Sequence, residues 1–175
     1  LWLGIIYFAF QIYCDFSGYS DIAIGTARLF GFELMKNFKM PYFSRDIGEF
    51  WRRWHVSLSS WFRDYVYIPL GGGKCSKLTK IRNIFVTFTL SGLWHGANWT
   101  FVVWGMLNGI YYLSLVNQEK GSKTSIVAEG KTLPSAREFV SVLTTFLLTL
   151  IAWVFFRATS LSQALKYLAT MFSSS

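Results

Sequence analysis

The chain has 175 residues, of which 53% are apolar, 19% aromatic and 15% charged, against about 25% charged in a soluble globular domain. With a mean hydropathy of +0.35 this is a membrane protein's composition, and the wealth of Trp, Tyr and Phe excludes intrinsic disorder. A net charge of +8 invites a nucleic-acid reading, but the long apolar runs argue against nucleic acid and for a lipid bilayer, while Cys14 and Cys75 are too few for a disulfide scaffold.

The sequence opens at Leu1 inside an apolar run, without an initiator Met, and is expected to be a piece of a longer chain. A helix needs roughly 20 mostly apolar residues to cross a bilayer. Residues 1 to 14 are apolar, 15 to 21 are polar, and apolar character returns from Ile22. Within the polar interruption lie Asp15, Ser17 and Asp21. Charged groups are costly in hydrocarbon, so these residues either line an interior or wet cavity or pair with arginines such as Arg28 or Arg45.

Residues 36 to 82 hold ten Lys and Arg against three acids, which marks a cytoplasmic-side segment by the positive-inside tendency. Inside it, residues 50 to 68 alternate aromatics with Arg52, Arg53 and Arg63, a pattern expected of one interfacial or re-entrant helix closed by Pro69 and three glycines. His55 lies in this run, between Trp54 and a polar face, where its ring is most simply expected to hydrogen-bond a carbonyl. Residues 84 to 116 carry no formal charge outside His95; they are too long for one perpendicular helix and are broken at Gly96-Ala97-Asn98, so two packed segments are expected. His95 stands next to that break. An imidazole is the usual general base for a hydroxyl proton, and the glycines around it allow close approach of a ligand. Residues 117 to 137 are polar and read as an extramembrane connection, and 139 to 156 form the cleanest span, closed by Arg157. With two histidines and no carboxylate-His spacing, no metal site is expected, and Gly71-Gly72-Gly73-Lys74 lacks the spacing of a phosphate loop.

Two stretches, YCDFSGYSDIAIGTARLFGFELMKNFKMPYFSRDIGEFWRRWHVSLSSWFRDYVYIPLGG and RNIFVTFTLSGLWHGANWTFVVWGMLNGIYY, together resemble the membrane-bound O-acyltransferase family in its bacterial, alginate-acetylating branch. The resemblance implies an all-α integral membrane protein, a multi-span helical bundle with re-entrant or interfacial helices, in the cytoplasmic (inner) membrane. Residues 1 to 175 would be a single partial domain, the C-terminal portion of the family core without its N-terminal spans. It implies transfer of an acyl group, commonly acetyl, from a cytoplasmic thioester to a hydroxyl of a polysaccharide acceptor. His95 matches the family's catalytic histidine and His55 a second motif position; Asp15, Ser17 and Asp21 fall on a stretch that is structural or lines the pathway.

No permanently bound cofactor is implied. The donor would be acetyl-CoA or another acyl thioester, such as an acyl carrier protein, and a basic face including Arg52 and Arg53 would suit its phosphates. Trp94, Asn98, Trp99 and backbone N–H groups at the helix break are candidates to line the site or stabilise an oxyanion. A periplasmic or extracellular acetyltransferase partner is also implied. The alternatives are D-alanyl or other acyl transfer to a cell-wall polymer, a proton-coupled transporter fragment that uses the intramembrane Asp and His without acyl transfer, and a scaffold for a periplasmic enzyme.

Overall fold

The computed structural model describes residues 1–116 and 133–173, and among them every regular element is helical. α1 is Trp2–Leu29, about 42 Å long at 1.5 Å per residue. A short 3₁₀ turn, Pro41–Phe43, leads to α2 (Ile47–Arg53), α3 (Val56–Phe62) and a π turn at Arg63–Tyr67. Then come α4 (Lys77–His95), α5 (Trp99–Leu113), α6 (Ala136–Arg157) and α7 (Leu161–Phe172).

Local chemistry sets these boundaries. Ser76, Asn98, Ser135 and Ser160 each accept a backbone N–H of the helix they precede, satisfying donors that have no partner in the first turn. Ser135 and Glu138 form a reciprocal capping box ahead of α6. Of the stretch expected to be an extramembrane connection, residues 117–132 lie outside the described residues.

The break at Gly96–Asn98 divides the long apolar run into α4 and α5, as expected, and the two helices pack along their length. Their backbones touch where Gly92 meets the Phe101 carbonyl and Gly105 meets the Phe88 carbonyl; a Cβ on either glycine would collide with the facing oxygen. α6 lies behind this pair and supplies the core, with Leu150 fully buried and Trp153 stacked on Trp104 at 6.0 Å. Trp54 reaches the same indole from the other side, at 5.2 Å. α1 joins through buried Ile5 and Ala9, through Tyr42, whose hydroxyl donates to the Ala9 carbonyl at 2.6 Å, and through Tyr167 of α7, which donates to the Leu1 carbonyl at 2.7 Å.

Among the described residues α6 alone is long and apolar enough to cross a membrane by length and composition. α1 is longer but carries Asp15, Asp21 and Arg28, α4 opens with Lys77, Lys80 and Arg82, and α5 has 15 residues. α1 exposes Leu3, Tyr7, Tyr19 and Ile22.

Two expectations require correction. The run 50 to 68 is not one helix: the backbone turns at Trp54–His55, where His55 adopts φ +44°, and α2 and α3 form separate helices of seven residues each. Nor do Asp15 and Asp21 pair with arginines. Among the described residues both are exposed and make no ion pair, and Arg45 instead meets Glu49 and Glu138.

Because the α4–α5 crossing is a backbone contact, Gly92→Ala or Gly105→Ala should lower unfolding stability by about 1–3 kcal/mol, whereas Gly25→Ala, with no atom near the added carbon, should not lower it. Thermal unfolding of the purified variants in detergent measures this, and equal melting temperatures for all three would contradict the packing.

Candidate active site

The two histidines, forty positions apart in the chain, open onto one cavity of about 740 Å³, within the size range of small-molecule sites. One wall is α4. Asn83, Thr87, Ser91 and His95 recur at four-residue spacing and so share a face of that helix, and the last three line the cavity. The opposite wall is α2, the Trp54–His55 turn and α3, which contribute Trp51, Arg52, Arg53, Ser59 and Ser60. Lys39, Arg63 and Tyr67 complete this side, and Tyr112 of α5 closes the lining.

His95 is the last residue of α4 and is half-buried. Its ring sits among Trp94 at 5.0 Å, Phe156 at 5.1 Å and Trp104 at 5.2 Å between centroids, all three meeting it edge to face. Among the described residues its ring nitrogens make no hydrogen bond. The aromatic neighbours fix the plane of the ring while leaving its nitrogens open to a ligand. Gly96 follows because Phe101 packs directly against it; a Cβ there would lie 2.6 Å from the Phe101 ring.

His55 is held differently. Its left-handed backbone costs a non-glycine residue roughly 1–2 kcal/mol, and its neighbours overcome this. Val56 N–H donates to the Asn37 carbonyl at 3.1 Å and Lys39 N–H to the Arg53 carbonyl at 3.0 Å, strapping residues 37–39 alongside the turn. The His55 ring meets Phe16 of α1 edge-on at 4.6 Å and approaches Trp94 at 6.5 Å, so Trp94 touches both imidazoles. Burial foremost, with the neighbouring His95 ring adding, pushes the His55 imidazole down to about 4, which keeps it neutral at pH 7.

The cationic lining is partly neutralised. Glu49, 5% exposed, accepts from the Arg45 side chain and backbone and from Arg53 at 2.5 Å. Burial alone would raise its carboxyl, but the Arg45 hydrogen bonds and the Arg53 charge outweigh it and hold the group below the usual carboxylate range. Arg52 is exposed at the cavity, and Arg63 is engaged with Asp64 at 2.7 Å.

Of the residues singled out in the sequence, His95, His55, Arg52 and Arg53 are brought together here. Asp15, Ser17 and Asp21 lie on α1 outside the cavity lining, with the Ser17 hydroxyl donating to the Cys14 carbonyl. Both ends of the Asn98 amide are occupied: its oxygen accepts from Thr100 N–H at 3.1 Å and its nitrogen donates to the Thr159 carbonyl at 3.1 Å. In this arrangement Asn98 caps α5. Thr87 and Ser91 were missed, although the i, i+4, i+8 spacing of polar groups ending at His95 is written in the sequence.

A family model described as MBOAT, membrane-bound O-acyltransferase family, matches residues 1–118. The chain is 48% identical over 172 residues to the probable alginate O-acetylase AlgI of Pseudomonas fluorescens, covering 98% of this chain and 33% of that protein. It is 41% identical over 170 residues to the peptidoglycan O-acetyltransferase of Helicobacter pylori, covering 97% and 31%. A teichoic acid D-alanyltransferase of Streptococcus thermophilus is 39% identical over 116 residues, covering 62% and 28%. The chain thus spans about a third of the length of the curated relatives it matches.

Glu49→Gln removes the charge that holds two half-buried guanidinium groups and should cost about 2 kcal/mol of stability, the worth of a hydrogen bond to a charged group. Since the folded carboxyl is held low, its contribution is present above the unfolded value of about 4.3 and is lost as pH falls below it. Melting temperature against pH should therefore drop more steeply below about pH 4.3 in the parent than in Glu49→Gln, and parallel curves would contradict the assignment.

Proposed function

This chain belongs to the membrane-bound O-acyltransferase family, and on that premise we propose that it carries the catalytic histidines of a membrane enzyme that O-acetylates an extracytoplasmic polysaccharide. The observation that best supports this reading is that His95 and His55 line one largely apolar and aromatic cavity that also holds the hydroxyls of Thr87 and Ser91 and the side chains of Arg52 and Arg53. The acceptor hydroxyl enters beside His95, and its oxygen attacks the carbonyl carbon of the thioester. The proton passes to the imidazole as the new C–O bond forms. The C–S bond then breaks, and the departing sulfur takes that proton and leaves as a thiol. His55, on the facing wall, contacts the substrate from the other side.

The donor is acetyl-CoA or another phosphate-bearing thioester, with Arg52, Arg53 and Lys39 placed to receive its anionic end. Thr87 and Ser91 supply a polar track along α4, about 12 Å from residue 87 to residue 95, for the arm that carries the acyl group. In this reading α1, the α4–α5 pair and α6 are embedded in the inner membrane as parts of a multi-span bundle. The basic segment 36–82 then faces the cytoplasm, where thioesters are made. Residues 1–175 act as a portion of one family domain, and a periplasmic or extracellular acetyltransferase partner receives or directs the acetyl group. The acetyl reading is preferred to D-alanyl transfer because identity to the alginate O-acetylase extends over 98% of the chain, against 62% for the Streptococcus thermophilus D-alanyltransferase.

In membranes holding the intact protein, His95→Ala should reduce O-acetylation of the polymer by about a hundredfold or more while protein level and membrane insertion stay normal. His55→Ala should give a smaller loss. Quantifying ester-bound acetate on the purified polymer distinguishes the outcomes, and undiminished acetylation in His95→Ala would remove the base from the mechanism.

A further inference from the structure

Asn37 and Ser57 stand behind the His55 ring, twenty residues apart in sequence and joined twice. The Asn37 side-chain oxygen accepts from the Ser57 backbone N–H at 3.0 Å and from the Ser57 hydroxyl at 2.6 Å. The orientation of this amide is not free. A backbone N–H can only donate, so the amide atom facing it must be the oxygen, since the NH₂ group would set donor against donor. The same oxygen faces the Ser57 hydroxyl, which must then commit its single proton to it.

Ser57 Oγ is left with lone pairs alone for its other neighbour, His55 Nδ1, at 3.5 Å. A ring nitrogen that faces an acceptor is the one that carries hydrogen. The separation is long, as such contacts often are before substrate tightens a site. The left-handed backbone of His55 serves the same end. With Val56 and Ser57 N–H groups both bound to Asn37, the turn cannot relax, and the ring is held with Nδ1 toward Ser57.

We infer that Asn37 and Ser57 are positioning residues that hold His55 in its Nδ1–H tautomer, so that Nε2 presents a lone pair to the substrate in the cavity. The inference rests on the proposed function in one respect, that His55 meets substrate there. Its consequence is a division of labour. An unprotonated Nε2 accepts a hydrogen bond and has none to give, so His55 addresses an O–H of the polyol acceptor and not the thioester oxygen. The facing wall of the cavity then recognises a hydroxyl-rich acceptor, and stabilising the acyl oxygen falls to other donors.

The test uses the intact protein, labelled with ¹⁵N-histidine, in native-lipid membranes. His55 is assigned by difference from His55→Gln, and solid-state NMR reads its two nitrogens. The expected result is a pyrrole-like Nδ1 and a pyridine-like Nε2 in the parent and in Ser57→Thr, and a mixture of tautomers in Ser57→Ala. In acetylation assays Ser57→Ala should lower kcat by about tenfold at nearly unchanged donor KM, with Ser57→Thr restoring it. A pyridine-like Nδ1 in the parent overturns the inference, and this outcome does not depend on whether the Ser57 variants fold. An unaltered tautomer and kcat in Ser57→Ala overturns the role of Ser57. Should the parent show the expected tautomer while His55→Gln acetylates at the full rate, the tautomer assignment stands and the proposed work of His55 in the reaction fails.

Discussion

The contact on which the site depends is the touching of two backbones. α4 and α5 approach so closely at Gly92 and Gly105 that no side chain fits between them, and this sets the rotation of α4 about its axis. With Gly92 turned to α5, the face carrying Thr87, Ser91 and His95 turns to the cavity. The helix must stop at the end of that face, because Phe101 folds back against Gly96 and Asn98 caps the next helix. His95 therefore stands at a helix terminus, backed by Trp104 and Phe156, with its nitrogens left over from the packing.

On the opposite wall hydrogen bonds fix the turn that the buried Phe50 and Trp54 anchor in the core. Residues 37–39 lie along the turn that joins α2 and α3, and the bonds they make hold a histidine in a backbone conformation it would not choose alone. Below the turn, Glu49 gathers Arg45 and Arg53, and Arg45 reaches on to Glu138 at the start of α6. This carboxylate permits several guanidinium groups to crowd one side of a small cavity, leaving positive charge where an anionic donor would enter. The indoles of Trp54, Trp104 and Trp153 connect the two walls through α6.

Much of this was legible in the sequence because it depends on local pattern. The run 84 to 116 has no charge to mark a boundary, yet Gly96-Ala97-Asn98 combines a helix terminator with an N-cap residue, and the helices break there. α6 could be recognised from apolar length closed by Arg157, and both histidines were identifiable as polar groups set among aromatics. The division of residues 50 to 68 was hidden, since a left-handed histidine has no local signal: Asn37, nearly twenty positions away, enforces it. The pairing of Arg45 with Glu49 follows a local i, i+4 spacing, but its second partner was hidden. Glu138 reaches it only through tertiary packing, and Asp15 and Asp21, nearer in sequence, point elsewhere. Asn98, singled out for chemistry, also caps α5, since one side chain suits both tasks.

The central claim is that an acyl thioester and a hydroxyl meet in the cavity between the two imidazoles. A cryo-EM structure of the intact protein in a lipid nanodisc, bound to a non-hydrolysable acetyl-CoA analogue, tests it most directly. The acyl carbonyl is expected beside His95, with the phosphates toward Arg52 and Lys39. An analogue bound outside this cavity, with the His95 ring sealed among lipid tails, would contradict it.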